Sequence, residues 1–411
     1  MMITLAVFGG SSVATPELID ALREDPELDV EVVLHGRSAD KLRVVAAVCE
    51  GIAGTGVRVR ATTDLEAALA GAHIVLNQIR AGGFRARLFD ETFPREFGLP
   101  GEETMGPGGF ANAWRTVPAV LDLALAVERI APQAWVVNLT NPSSLVQLAL
   151  HRATRLRVLG VCDSPAAMVE HIATLLHLPP HQIAVEYVGM HHFGWITHVH
   201  HGGRDRMADV LVQAAAIPWI LAPPELVQAI GAVPHPYLNY VLVPRIMLER
   251  QRGQRPRAEA LLELEETLMK EYRSYAAEGR SGFPEAAKQR HAVWYRKIII
   301  PVIRALTVGP PGTHIVNFRN GAVVPWLPPD AVIEGCARVS REGPQPVGPR
   351  GPVPADVVAQ IQRNSAYESL LVDAISERSF SSAWRAMSLN PLVRDAAEAR
   401  ALVECIWGGP H

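Results

Sequence analysis

The sequence predicts an α/β protein: a doubly wound parallel sheet over residues 1–165, then an α+β half over residues 166–411. Three observations carry this. Short apolar runs alternate with helix-like segments from residue 3 to residue 162, the pattern of parallel strands buried on both faces. A Gly9-Gly10-Ser11-Ser12 turn stands between the first such run and the first helix. Beyond residue 165 the alternation lapses into longer extended and helical stretches broken by Gly and Pro. With 411 residues, 48% of them hydrophobic, the chain is long enough for one large or two ordinary domains.

The elements follow in order. Ile3 to Phe8 reads as a buried strand. Pro16, well suited to a first helical turn, opens a helix to Leu22. Val30 to His35 is a second strand, and Ala39 to Cys49 a second helix. Val57 to Ala61, Ile74 to Gln78, Trp135 to Asn138 and Leu156 to Cys162 complete about six strands. In sheets of this kind ligands lie at the carboxyl ends of the strands. In the second half, Ile183 to His201 reads as extended, and Leu226 to Tyr240 and Arg257 to Tyr275 as helical. His314 to Val339 has strand-like runs and turn signals. Gly343 to Pro354 holds five prolines and three glycines and reads as a loop or extended arm; Ala355 to Trp407 returns to helix.

Composition excludes several classes. Net charge is −3 with both signs interspersed, so there is neither a nucleic-acid footprint nor a polybasic membrane patch. No apolar run reaches the ~18 residues of a membrane span. Met1 to Phe8 lacks the basic start and small-residue cleavage site of a secretory signal. Cys49, Cys162, Cys336 and Cys405 are far apart with no C-x-x-C pair, as in reduced thiols of a cytoplasm.

The chemistry-bearing residues gather at strand ends. Backbone N–H groups of Gly9, Gly10, Ser11 and Ser12 can cradle a pyrophosphate, which makes the first half Rossmann-like; a third glycine is missing, and an ordinary βα turn reads the same way. Asn138 ends a strand on the same side and joins the expected cofactor contacts. The second strand ends Leu34-His35-Gly36-Arg37, with no carboxylate for a ribose diol. Arg37 is placed to pair with a 2′-phosphate, so NADP stands beside NAD. Cys162 and Asp163 follow one strand, His191 and His192 another. Thiol and imidazole suit a divalent transition metal and a carboxyl moves protons, although buried Cys and His also serve as core. Arg80-Ala81-Gly82-Gly83, with Arg85 and Arg87, reads as a Gly-loosened loop with forked donors for phosphate or carboxylate, or as a solvated loop. Tyr237 and Tyr240 read as core aromatics or as bases.

Taken together these stretches resemble glycoside hydrolase family 4, the NAD- and metal-dependent 6-phospho-glycosidases. The resemblance runs through Gly9 to Ser12, Gln78 to Gly83, Gly101-Glu102-Glu103-Thr104-Met105-Gly106 and on to Gly109. It continues through Asn138 to Ser143, Gly160 to Pro165, Gly189 to Trp195, Pro236 to Tyr240 and Arg257 to Glu259. Cys162-Asp163-Ser164-Pro165 and His192-Phe193-Gly194-Trp195 are most similar to the 6-phospho-α-glucosidase branch. The resemblance implies hydrolysis by transient oxidation of the sugar at C3 by NAD, deprotonation at C2 assisted by a divalent metal such as manganese, elimination, water addition and return of the hydride. It implies Cys162 and His192 as metal ligands, Tyr237 as the base and Asp163 as the acid. It places Asn141 on a substrate hydroxyl and Arg87 and Arg257 on the anionic group. Three positions depart from the family: His191 stands where Asn is usual and faces the substrate pocket, Gly36-Arg37 replaces the ribose acid, and Val241 stands where a third Tyr is usual. They leave a 6-phosphate, a uronate carboxylate or an uncharged sugar open.

The expected protein is therefore a cytoplasmic NAD(P)- and manganese-dependent glycosidase acting on a small, 6-phosphorylated glycoside, as a homodimer or homotetramer. Two other readings are a net NAD(P)-dependent dehydrogenase and a non-catalytic sugar- or nucleotide-binding protein.

Overall fold

A computed structural model describes residues 2–409; Met1, Pro410 and His411, which fall at the outer ends of the two expected halves, lie outside the described residues. The first half contains β1 (Ile3–Phe8), β2 (Val30–His35), β3 (Val57–Thr62), β4 (Ile74–Asn77), β5 (Trp135–Asn138) and β6 (Arg157–Gly160). They run parallel in the order β3-β2-β1-β4-β5-β6. The connecting helices are α1 (Thr15–Arg23), α2 (Ala39–Ile52), α3 (Leu65–Leu69), α4 (Gly83–Glu96), α5 (Gly106–Ile130) and α6 (Ser143–Ala153); α7 (Ser164–Leu175) follows β6. This is the strand order of a dinucleotide-binding sheet, with its crevice where the order reverses between β1 and β4.

The second half extends the same sheet rather than building a new one. Its strands are β7 (Ala184–Met190), β8 (Phe193–His201), β9 (Arg204–Asp205), β10 (Val233–Pro234), β11 (Gly312–Arg319), β12 (Val332–Ser340) and β13 (Gly343–Pro346). The order β10-β8-β7-β12-β11 abuts β6, with β13 on β12 and β9 on β8. One core joins residues of both halves, among them Val7, Leu34, Val188, Trp195 and Val316. A second, on other side chains of β1 and β4 (Ala6, Val75), packs against α5, α6 and the C-terminal helices. Among the described residues no helix is long and apolar enough to cross a membrane, and all four cysteines are free.

Several elements differ from the sequence reading. The stretch 226–240 is not one helix: Pro224–Ile230 ends at Gly231, whose φ of 74° is left-handed, and Pro234 and Pro236 then admit only the short strand β10 and a helical turn. The proline-rich arm contributes β13, which tolerates its prolines because it pairs only with β12. The arginine loop ends at Gly82, at φ 74°, so Arg85 and Arg87 lie in the first turns of α4. Ala355 to Trp407 is three helices, Ala355–Glu377, Phe380–Met387 and Ala396–Trp407.

The two parts of the sheet meet at one pair, Asn317 opposite Gly160. A Cβ on Gly160 would lie 2.7 Å from Gln147 Oε1, 2.8 Å from Ser143 Oγ and 2.9 Å from the Asn317 Cβ. Gln147 Nε2 spans the seam, donating to Val158 O at 3.2 Å and Asn317 O at 3.1 Å. Gly160→Ala therefore forces this seam apart, at a cost of about 1–3 kcal/mol. Urea denaturation of the variant should show a lowered midpoint; an unchanged midpoint would mean that the seam gives way freely.

Candidate active site

A cleft of about 1340 Å³ opens along the carboxyl ends of β1, β4, β5 and β6. At its nucleotide end the turn after β1 brings in Gly9, Ser11 and Ser12 ahead of α1. Gly9 has φ 80°, and a Cβ there would lie 2.9 Å from Gln78 O, so the turn needs glycine. Gly10 is not on the cleft wall: it packs behind the turn, where a Cβ would lie 2.8 Å from the Leu34 Cβ, and it donates to His35 O. Gly36 is buried and Arg37 exposed on the rim. Asn138 does not reach the cleft either. Fully buried, it accepts from Asn77 Nδ2 at 2.8 Å and donates to Thr140 O and Ser143 Oγ, so its polar atoms hold the β4–β5–α6 corner.

The chemical centre lies where β6 ends beside the β7–β8 turn. Cys162 follows β6, and His191 and His192 form the turn. Cys162 Sγ is 3.4 Å from His192 Nε2, and one ligand atom each from Cys162, His191 and His192 lie within 4.8 Å of one another. His192 holds a left-handed φ of 62°, uncommon for a residue with a side chain. Its Nδ1 meets Thr104 Oγ1 at 2.8 Å, and Thr104 in turn donates its backbone N–H to Glu102. Burial, reinforced by His191 and His235, pushes the His192 imidazole far down, so it stays neutral and able to ligate. Burial, with Glu334 and Asp163 adding to it, pushes the Cys162 thiol well up. A divalent cation between these groups would reverse that shift, and a sulfur and two nitrogens fit a borderline transition metal.

The structure brings the other expected residues to the same cleft. The Tyr237 ring stacks on His192, centroids 3.9 Å apart and planes at 12°. Burial, then Glu102 and Glu103, pushes its phenol well up, with Arg87 opposing. Asp163 immediately precedes α7 beside Cys162, with no capping bond from its side chain, and its carboxyl is raised by burial. Asn141 Oδ1 meets His191 Nε2 at 3.0 Å. Arg87 pairs with Glu91 at 2.6 Å and Glu103 at 2.9 Å, and Arg257 lines the cleft.

Four residues that the sequence reading did not single out complete the site. Glu103 is buried, yet Arg80, Arg87 and a hydrogen bond from Asn141 hold its carboxyl below the usual range. Glu102 and Thr104 orient His192, and Glu334 stands 3.5 Å from His191 Nδ1. Glu102, Glu103 and Thr104 belong to a stretch already notable for its glycines; nothing local marks Glu334.

The sequence pattern of the family 4 glycosyl hydrolases matches residues 3–178, and that of their C-terminal domain matches residues 187–393. This chain belongs to that family. The hydrolase is 29% identical over 408 residues to a 6-phospho-beta-glucosidase of Thermotoga maritima, covering 97% of this chain and 96% of that one. It is 27% identical over 429 residues to a maltose-6'-phosphate glucosidase of Bacillus subtilis, covering 98% and 94%. A solved structure of the Thermotoga maritima 6-phospho-beta-glucosidase with manganese, NAD+ and glucose-6-phosphate superposes with a TM-score of 0.88 at 28% identity, covering 98% of this chain and 97% of that one. The hydrolase thus has the family and the fold expected from its motifs.

Removing the Thr104 hydroxyl leaves His192 unoriented. Thr104→Val should weaken manganese binding about 10–100-fold, and Cys162→Ser should lose it, with NAD titrations unchanged in both. Paramagnetic resonance of added manganese measures this; full occupancy in Cys162→Ser would remove the thiolate from the ligand set.

Proposed function

We propose that this hydrolase cleaves the O-glycosidic bond of 6-phosphorylated, α-linked glucosides, using NAD and a manganese-class ion held by Cys162 and His192. The observation that carries this reading is the stack of Tyr237 on His192 at 3.9 Å, which sets a phenol beside the ligand pair. Relatives named 6-phospho-alpha-glucosidase and 6-phospho-beta-glucosidase alike support the phosphate, and Asp163 beside Cys162 supports the α linkage.

When bound, the dinucleotide supplies reversible hydride acceptance at C3 and the cation supplies polarisation of the neighbouring oxygens. The chain supplies the rest. Asn141 and His191, already joined at 3.0 Å, hold sugar hydroxyls on the ligand side of the cleft. Tyr237, as the phenolate that a cation held beside it would favour, takes the C2 proton on its oxygen. Asp163, whose carboxyl burial raises above the usual range, gives its proton to the departing glycosidic oxygen. Arg257, with Arg87 behind it, receives the sugar's anionic group. Water then adds at C1 as Tyr237 returns its proton to C2. Residues 1–165 hold the nucleotide and residues 166–411 complete the ligand and sugar sites. Four unpaired thiols support a cytoplasmic setting, and we take the assembly to be a homodimer or homotetramer.

Two variants test the proton roles together. Tyr237→Phe should lose exchange of the C2 proton with deuterated water. Asp163→Asn should retain far more activity on p-nitrophenyl substrates, whose leaving group needs no acid, than on disaccharides. Exchange at the wild-type rate would move the base elsewhere, with Tyr240 next in line. A net conversion of one NAD per turnover would replace the hydrolase reading with a dehydrogenase.

The cofactor's ribose has its own test. Gly36 carries no carboxylate for the diol, and Arg37 is exposed at the cleft rim within the nucleotide end. A charge-assisted bond to a 2′-phosphate is worth roughly 1.5–3 kcal/mol. Arg37→Ala should therefore lower NADP affinity about ten- to a hundredfold and leave NAD affinity unchanged. Equal titrations of wild type and variant would show that Arg37 points to solvent.

A further inference from the structure

Arg290 is a cleft residue with no role in the scheme above. It ends the helical turn Glu285–Arg290, lines the cleft, and lies over the Trp294 ring at 4.8 Å. Among the described residues it forms no ion pair and no side-chain hydrogen bond, and the same is true of Arg257. Their neighbours differ. Arg80 and Arg87 both pair with Glu103, and Arg87 also with Glu91. Glu91 spends its other oxygen on the Ala258 N–H, which draws the start of the helix Arg257–Ala277 toward α4. Glu17, the acid nearest Arg290 on α1, is held by the Ala292 N–H. Burial, and then the nearby guanidinium groups of Arg80, Arg87 and Arg257, lower Arg290's affinity for its proton despite Tyr295.

Four guanidinium groups thus gather at one corner of the cleft, and two of them, Arg80 and Arg87, are tied to Glu91 and Glu103. Among the described residues Arg257 and Arg290 form no ion pair, and Glu17, the acid that Arg290 faces, already accepts from the Ala292 N–H with both oxygens. A phosphate monoester near neutral pH carries close to two negative charges; a sugar carboxylate carries one. Forked donors at two unpaired arginines suit a group with three acceptor oxygens.

We propose that Arg290 is a phosphate-binding residue and that, with Arg257, it makes the cleft select a sugar's dianionic phosphoryl group over a monoanionic carboxylate. This rests on the reading that the cleft takes a phosphorylated sugar. The pyrophosphate of a dinucleotide has the same chemistry and, bound at the Gly9 turn, would lie toward the same side, since Tyr295 donates to Gln78, whose amide meets Gly9 O. The test separates the two.

Full-length enzyme with manganese and NAD is titrated calorimetrically with glucose 6-phosphate, glucose and glucuronate, and NAD is titrated separately. Arg290→Gln should weaken glucose 6-phosphate about ten- to a hundredfold and leave glucuronate, NAD and the melting temperature unchanged. Arg290→Lys, which keeps the charge without the fork, should fall between. An equal loss for glucuronate, an unchanged glucose 6-phosphate affinity, or a loss confined to NAD overturns the proposal, the last by assigning Arg290 to the pyrophosphate. If wild type binds glucose as tightly as glucose 6-phosphate, the phosphorylated-substrate reading itself falls. If wild type prefers the phosphate and only Arg257→Gln weakens it, that reading stands and Arg290's part in it does not.

Discussion

The fully buried carboxylate of Glu334 fixes the geometry on which the chemical centre depends. A charge in that position is costly unless each oxygen is met. Here each is: Oε2 accepts from Tyr187 at 2.7 Å, and Oε1 accepts from Asn317 Nδ2 at 3.1 Å while facing His191 Nδ1 at 3.5 Å. The partners come from β7, β11 and the β7–β8 turn. Their registers place Glu334 opposite both Gly189 and Asn317, so a slip of either neighbouring strand would strand the carboxylate. Asn317 is also the residue of β11 that pairs with Gly160 of β6, the strand whose end carries Cys162. The thiol and the imidazoles thereby inherit their spacing from a hydrogen-bonded network beneath them.

Glu103 plays a comparable part on the opposite wall. It gathers Arg80, Arg87 and Asn141, and its backbone carbonyl accepts from Asn112 on α5. Arginines anchored in this way keep their orientation before any ligand arrives, which lowers the ordering cost of binding. Arg87 is therefore as much a brace for Glu103 as a contact for an anion. The glycines around this segment exist for the same close packing: a Cβ at Gly101 would fall 2.0 Å from Glu91 O, and one at Gly108 2.2 Å from Glu102 O.

The parallel strands were legible in the sequence because burial on both faces turns each into an uninterrupted apolar run, as in Leu5-Ala6-Val7-Phe8 or Val32-Val33-Leu34. The residues at their ends were legible for the same reason, and Cys162, Asp163, His192 and Tyr237 do share one cleft. Asn138 was misleading: strand-end position brought it near the cleft, but its polar atoms are spent inside the corner it holds. The 226–240 segment failed as a helix because two prolines and a left-handed glycine outweigh its apolar periodicity. Glu334 and Arg290 left no local trace. Their significance is electrostatic and comes largely from groups more than a hundred residues away, Tyr187 and His191 for Glu334 and Arg80 and Arg87 for Arg290, and no spacing rule reaches that far.

His192 adopts a left-handed backbone conformation that a Cβ disfavours, at the tip of the turn where Gly189 and Gly194 already let β7 and β8 approach. Strain of this kind persists only where its surroundings enforce it. The position is therefore one at which folding and chemistry pull in opposite directions. A library at residue 192 ranked by heat resistance alone would enrich glycine and asparagine, residues at ease with that φ. The most durable proteins it returned would be the ones that had traded away the imidazole.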